Sequence, residues 1–191
     1  MLCSRNTPMT TQVLFVQGGG EGVHDRWDDK LVHSLQRELG HAYYVRYPHM
    51  PNEAEPRYSA WKAALLKELE SLEDGSILVG HSIGGTVLLH VLAEESLILR
   101  PGALCLLAPA FIGDDGWPSD EIQSKASFSE LVPSDTPVFL YHGDQDDIVP
   151  FAHMQMYAKA IPRATLRELR GRDHQFDNDL REVAADIRGI A

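Results

Sequence analysis

Ser82 stands in the middle of the run Gly80-His81-Ser82-Ile83-Gly84-Gly85. The apolar run Ser76-Ile77-Leu78-Val79 precedes it, and a second, Thr86-Val87-Leu88-Leu89-His90-Val91-Leu92, follows. A G-x-S-x-G turn between a strand and a helix holds one hydroxyl at the tip of a sharp bend, where it can attack a carbonyl carbon. Each residue type has a mechanical reason. The serine must take a strained backbone conformation. Gly80 and Gly84 flank it where a Cβ would collide with neighbouring backbone. A helix opening just after Ser82 aims free N–H groups and its positive end at the place where an oxyanion forms. The spacing therefore points to acyl transfer through a covalent serine intermediate.

Such a hydroxyl needs a base, and the base needs an acid to orient it. With this kind of turn, the chain order is nucleophile, acid, base. Of nine histidines, only His153 and His174 follow the aspartates of the fifth predicted strand. His153 falls three residues after Pro150, early in a predicted helix, and is expected at the surface or as a cap. His174 lies in Gly171-Arg172-Asp173-His174-Gln175-Phe176, a loop after the last predicted strand, and is expected to be the base. The fifth strand ends in Tyr141-His142-Gly143, and beyond it Asp144, Asp146 and Asp147 compete for the acid. These aspartates are not a calcium loop, since the glycine and the distant glutamate of that motif are missing. His142 reads as a packing residue, and Asp147 as a helix cap.

An oxyanion needs two N–H donors. One is expected from Ile83, directly after the nucleophile. The other is expected from the loop Gln17-Gly18-Gly19-Gly20-Glu21-Gly22, with Gly19 first by position and Gly18 second. Substrate contact is expected at Gly18, His81 and Trp117. Gly18-x-Gly20 is not a dinucleotide fingerprint, because the sixth position is Val23 and the next helix starts too late.

These residues need a frame. Short apolar runs predict strands over 12–17, 42–47, 76–80, 103–108, 137–142 and 164–169. Helical spacing predicts helices over 26–39, 57–72, 83–95, 119–131, 151–160 and 177–189. Their alternation implies an α/β class: a doubly wound, mostly parallel six-stranded sheet with helices on both faces. The stretch 111–136, holding Trp117, is too short for a large lid and long enough for a flap beside the site. The proline-rich run Met50–Pro56 reads first as a connector. Residues 1–10 are expected to be a disordered tail and 11–191 one domain.

With 191 residues, 43% hydrophobic and 24% charged, the chain has the composition of a globular protein. Its net charge of −11 disfavours nucleic acid and anionic membranes as partners. No run approaches the roughly 18 apolar residues of a membrane span, and the start lacks the apolar core of a secretory signal. Two cysteines, Cys3 and Cys105, are too few and too far apart for a disulfide framework, which fits a cytoplasmic location.

The turn at Ser82, the loop His142-Gly143-x-x-Asp146-x-x-Val149-Pro150 and the terminal histidine loop together resemble the α/β-hydrolase superfamily from about residue 12 to the end. The glycine loop, Trp27 and the Met50–Pro56 loop followed by Trp61 are most similar to the small serine hydrolases related to retinoblastoma-binding protein nine. Gln17 stands where the usual pattern has histidine. The resemblance selects Asp146 as the acid, with Asp144 as runner-up. It implies a minimal, lid-free fold acting on a small acyl substrate, typically an ester, with no cofactor or metal. Thioesterase, lactonase, peptidase and acyltransferase outcomes share the same triad. Some relatives are better known for binding partners, so a non-catalytic interaction module is the reading from a different class.

Overall fold

The computed structural model describes residues 10–125, 127–128 and 131–190. All of the expected tail but Thr10 lies outside them. Six strands form one sheet: β1 (Thr11–Val16), β2 (Tyr43–Arg46), β3 (Ile77–His81), β4 (Ala103–Leu107), β5 (Val138–Gly143) and β6 (Thr165–Leu169). Their order is β2-β1-β3-β4-β5-β6, with every neighbouring pair parallel.

Alternation along the strands decides which helix each side chain meets. Val13, Phe15, Val79 and Cys105 face the layer made by α1 (Asp29–Leu39) and α5 (Arg181–Arg188), through Leu31, Leu35, Val183 and Ile187. Leu14, Val16, Leu78 and Leu104 face α2 (Tyr58–Glu70), α3 (Ile83–Glu94) and α4 (Ala152–Ala160), through Trp61, Leu65, Val87 and Tyr157. Both faces are covered, which is why the inner strands carry near-continuous runs of buried apolar residues. Burial pushes the Cys105 thiol up to about 12, so it packs as a hydrophobe and does not react. Among the described residues, no helix is long and apolar enough to cross a membrane.

The strand order reverses direction between β1 and β3. Loops leaving those two strands diverge, and the crevice between them is where open sheets of this kind bind ligands. The glycine loop after β1 and the turn after β3 therefore face each other.

The expected helix over 119–131 is absent from the described part of that stretch. Ser119 Oγ accepts the N–H groups of Glu121 and Ile122 (3.2 and 2.9 Å), which makes a local turn. The Phe128 N–H bonds Ala160 O at the end of α4 (2.9 Å). Ile122 and Phe128, both buried, are six residues apart and would point about 120° apart around a helix. The first helix also differs from expectation. It begins as a π-helical turn, His24–Asp28, and becomes regular only from Asp29.

Candidate active site

Ser82 takes φ 52° and ψ −129°, a left-handed conformation for a residue with a Cβ, at a cost on the order of 1–3 kcal/mol. Neighbouring bonds hold it there. Its N–H donates to Leu107 O (2.8 Å), and its carbonyl accepts from Gly85 and Thr86 N–H (3.0 and 3.2 Å). A Cβ on Gly84 would lie 2.0 Å from Gln17 O, and one on Gly80 would lie 2.5 Å from the Gly85 Cα. The turn closes only because both are glycine. The Ser82 hydroxyl makes no hydrogen bond among the described residues. It opens onto a cavity of about 660 Å³ whose wall also carries His174.

The His174 Nδ1 donates to Asp146 Oδ2 (2.8 Å), so this nitrogen carries the proton and Nε2 keeps its lone pair. Asp146 has an unexposed side chain. Its Oδ1 accepts the N–H groups of Ile148 and Val149 (2.9 Å each). Its Oδ2 also lies 3.2 Å from His142 Nε2, which donates to Val149 O at 2.8 Å. Burial alone would raise the Asp146 pKa, but the hydrogen bonds from His142 and His174 and the His174 charge hold it well below the usual carboxylate range. Burial pushes the His174 pKa below the usual imidazole value, with the Asp146 bond opposing it. The ring thus stays a neutral base to lower pH.

The rival aspartates do other work. Asp144 Oδ1 accepts the Gly171 N–H (2.6 Å), pinning the start of the histidine loop. Asp147 lines the cavity and does not cap α4, which has no side-chain cap. His153 is not a surface residue. It is buried in α4, where its Nδ1 accepts the Phe111 N–H (2.8 Å), because position 153 falls on the inward face with Met154 and Tyr157.

The two residues expected to supply the oxyanion donors, Gly19 and Ile83, both line the cavity. Gly18 N–H is already committed to Asp28 Oδ2 (2.7 Å), and Gly20 N–H to Glu53 O (2.6 Å). Gly19 N–H has no partner among the described residues, and neither does Ile83 N–H at the open end of α3. A Cβ on Gly19 would lie 3.0 Å from the Ile83 side chain. The Met50–Pro56 run is more than a connector. Gln17 Oε1 accepts the Met50 N–H (2.9 Å) and Gln17 Nε2 donates to Glu53 Oε2 (2.5 Å), which clamps the glycine loop.

Gly18 and Trp117 border the cavity. Trp117 is carried there by a short loop whose ends are joined by Trp117 N–H to Phe111 O (2.8 Å). His81 also borders it, but its side chain is buried, with Nδ1 on Asp28 and Nε2 on the His174 carbonyl. Sequence reasoning missed Asp28 and Gln175, and it assigned His142 to packing alone. The His142–Asp146 spacing of four residues around a turn was the available signal. Asp28 offered none, because its partners lie far away in the chain. Elsewhere, His24, Asp25 and His49 bring ligand atoms within 4.8 Å of one another at the surface. That cluster has its own explanation in the hydrogen bond between His24 Nδ1 and Asp25 Oδ1 (2.6 Å).

Residues 14–175 match the sequence model of a family described as Serine hydrolase. No curated protein matches the chain by sequence. Among solved structures, the fold is similar to that of the ydeN gene product from B. subtilis (TM-score 0.76, 20% identity, covering 95% of this chain and 98% of that one). It is also similar to Est1E from Butyrivibrio proteoclasticus (0.65, 19%, 97% and 88%). XC6422 from Xanthomonas campestris, described as an α/β serine hydrolase without a lid, is a third (0.66, 18%, 99% and 84%).

Proposed function

Because the chain belongs to the serine hydrolase family, we propose that this α/β-hydrolase cleaves small, neutral, apolar carboxylic esters through an acyl-enzyme on Ser82. The observation that carries the reading is the Asp146–His174 bond, which orients an imidazole into the cavity that also holds the Ser82 hydroxyl. In this mechanism His174 Nε2 takes the Ser82 proton as Oγ attacks the ester carbonyl. The negative oxygen is held by the N–H groups of Ile83 and Gly19, and one such donor is worth about 10²–10³ in turnover. Asp146 stabilises the imidazolium, which then protonates the departing alcohol. Water, deprotonated by the same ring, attacks the acyl-enzyme and releases the carboxylic acid and Ser82.

The substrate class follows from the wall. Val23, Trp27, Pro56, Trp117 and Ile148 supply apolar surface, the exposed charged residues there, Asp147 and Asp173, are both acidic, and the buried His81 ring is already bonded to Asp28. An anionic acyl chain would meet repulsion and no free counter-charge. Est1E, one of the similar folds, has been solved with ferulic acid bound, so a methyl hydroxycinnamate belongs in the test panel. The free buried thiol of Cys105 suits a reducing compartment, and we place the enzyme in the cytoplasm.

The deciding experiment is labelling with a fluorophosphonate probe, followed by a panel of neutral esters, thioesters, lactones and a hemisuccinate ester. We expect covalent labelling at Ser82 and fastest turnover of the neutral esters. A wild-type chain that takes no label would overturn the catalytic reading in favour of an interaction module. Faster turnover of the hemisuccinate than of its neutral counterpart would overturn the substrate class.

A further inference from the structure

We propose that Asp28 and His81 form a permanently ionised pair, and that His81 is a positioning residue which anchors the base loop and opposes protonation of His174 with its own positive charge. The catalytic half of this inference rests on the triad reading above; the charge state of His81 does not.

The charge state follows from hydrogen-bond geometry. The His81 Nδ1 lies 2.9 and 3.0 Å from the two oxygens of Asp28. Its Nε2 lies 3.0 Å from the backbone carbonyl of His174. A carboxylate and a carbonyl only accept, so both ring nitrogens must donate, and an imidazole that donates from both is a cation. The side chains are 1% and 0% exposed, so no water competes for either bond. Asp28 needs the charge as well. It also receives Gly18 N–H (2.7 Å) and Gln175 Nε2 (3.1 Å), a full set of donors for an ionised carboxylate. Burial pulls the His81 pKa down, but the Asp28 charge and bonds outweigh it and leave it raised, while Asp28 is correspondingly lowered.

The pair is placed where three segments of the site meet. Gly18 belongs to the oxyanion loop, His81 immediately precedes Ser82, and His174 and Gln175 belong to the base loop. The catalytic residue is thus held twice: at its ring by Asp146 and at its carbonyl by His81. The His81 and His174 rings lie 4.7 Å apart between centroids. Around His174 the titratable groups are Asp146, with His142 behind it, and the Asp28–His81 pair. Around His81 they are Asp28, His174 and, further off, Asp146, with the edge of Phe176 closing the remaining side. Both charges meet the base loop, Asp28 through the Gln175 amide, but the cation is the one whose ring packs against the His174 ring and bonds its carbonyl. A second cation forming on His174 is therefore disfavoured. A buried ion pair is a poor device for stability alone, since apolar replacements of similar volume often do as well.

The test has two arms on the full chain. In ¹⁵N-labelled wild type, ring-nitrogen spectra at pH 7 to 8 are expected to show both His81 nitrogens protonated. A neutral His81 ring in that range would overturn the proposal. In the second arm, the pH profile of ester turnover is compared among wild type, His81→Gln and the double variant Asp28→Asn/His81→Gln, each checked for folding by circular dichroism. The acid limb is expected to move up by about one pH unit in His81→Gln, so that activity at low pH falls about tenfold more than the plateau at pH 8, and to move up by less in the double variant, which also loses the opposing Asp28 charge. A limb that does not move up in a folded variant would overturn the proposal. If neither variant folds, the wild-type spectrum decides. If wild-type Ser82 takes no fluorophosphonate, the triad reading falls and the spectrum still judges the pair.

Discussion

Two aspartate–histidine pairs lie ring against ring, 4.7 Å apart between centroids, and they differ in a single valence. In both, an unexposed carboxylate accepts from a histidine Nδ1 within 3.0 Å. In the pair Asp146–His174, the Nε2 has no partner among the described residues, and the ring borders the cavity. In the pair Asp28–His81, the Nε2 is spent on a carbonyl and the ring is sealed. In the reading proposed above, the same two residue types make a base in one place and a strut in the other. Chemistry follows from the unfilled position on the ring, and the residue types alone do not reveal it.

The largest effect that bears on this contrast is expected from Ser82→Ala. It takes away the group that the open nitrogen serves and should lower turnover by about 10⁶, with both pairs and the fold intact. Measured ester hydrolysis within tenfold of wild type would break the contrast at its root. Asp146→Asn should cost about 10⁴ in turnover by favouring the wrong tautomer, with a melting temperature close to wild type. If Asp28→Asn costs as much at pH 8 in a folded protein, the two pairs are not different in kind.

The sealed pair is expected to declare itself in stability. Removing one partner leaves a charge buried and alone, which costs about 3–5 kcal/mol, whereas removing both costs far less than the sum. Denaturant unfolding of Asp28→Asn, His81→Gln and the double variant measures this, and additive losses would contradict a coupled pair. The sign with pH is fixed. The lowered pKa of Asp28 contributes stability that is lost as pH falls below about 4, and the raised pKa of His81 contributes stability that is lost as pH rises above about 6.5 and through its folded pKa.

The smallest effect sharpens the open pair. Burial depresses the His174 pKa, so kcat/KM should rise with pH through a single limb whose midpoint lies below about 6.5. A midpoint above 7 would mean that the Asp146 carboxylate, not burial, sets the base.

Much of the site was legible in the chain because its signals are local. The turn at Ser82 is fixed by closely spaced glycines and two apolar runs, and the strand set follows from short apolar runs. His174 emerged from chain order, while Asp146 needed the resemblance to separate it from its neighbours. What stayed hidden was long-range. Asp28 meets His81 and Gln175 across separations of 53 and 147 residues. No periodicity reports that kind of contact. The stretch 119–131 misled for a related reason. Among its described residues, the N–H groups of Glu121 and Ile122 go to Ser119 and that of Phe128 to the end of α4, so other contacts stand where its composition suggested a helix.

The left-handed backbone at Ser82 reaches beyond chemistry. A glycine in that place would relax a conformation that every other residue must be forced into, gaining on the order of 1 kcal/mol. The most heat-tolerant version of this polypeptide is then expected to be one that does no work. Selection for durability alone would silence it first at residue 82.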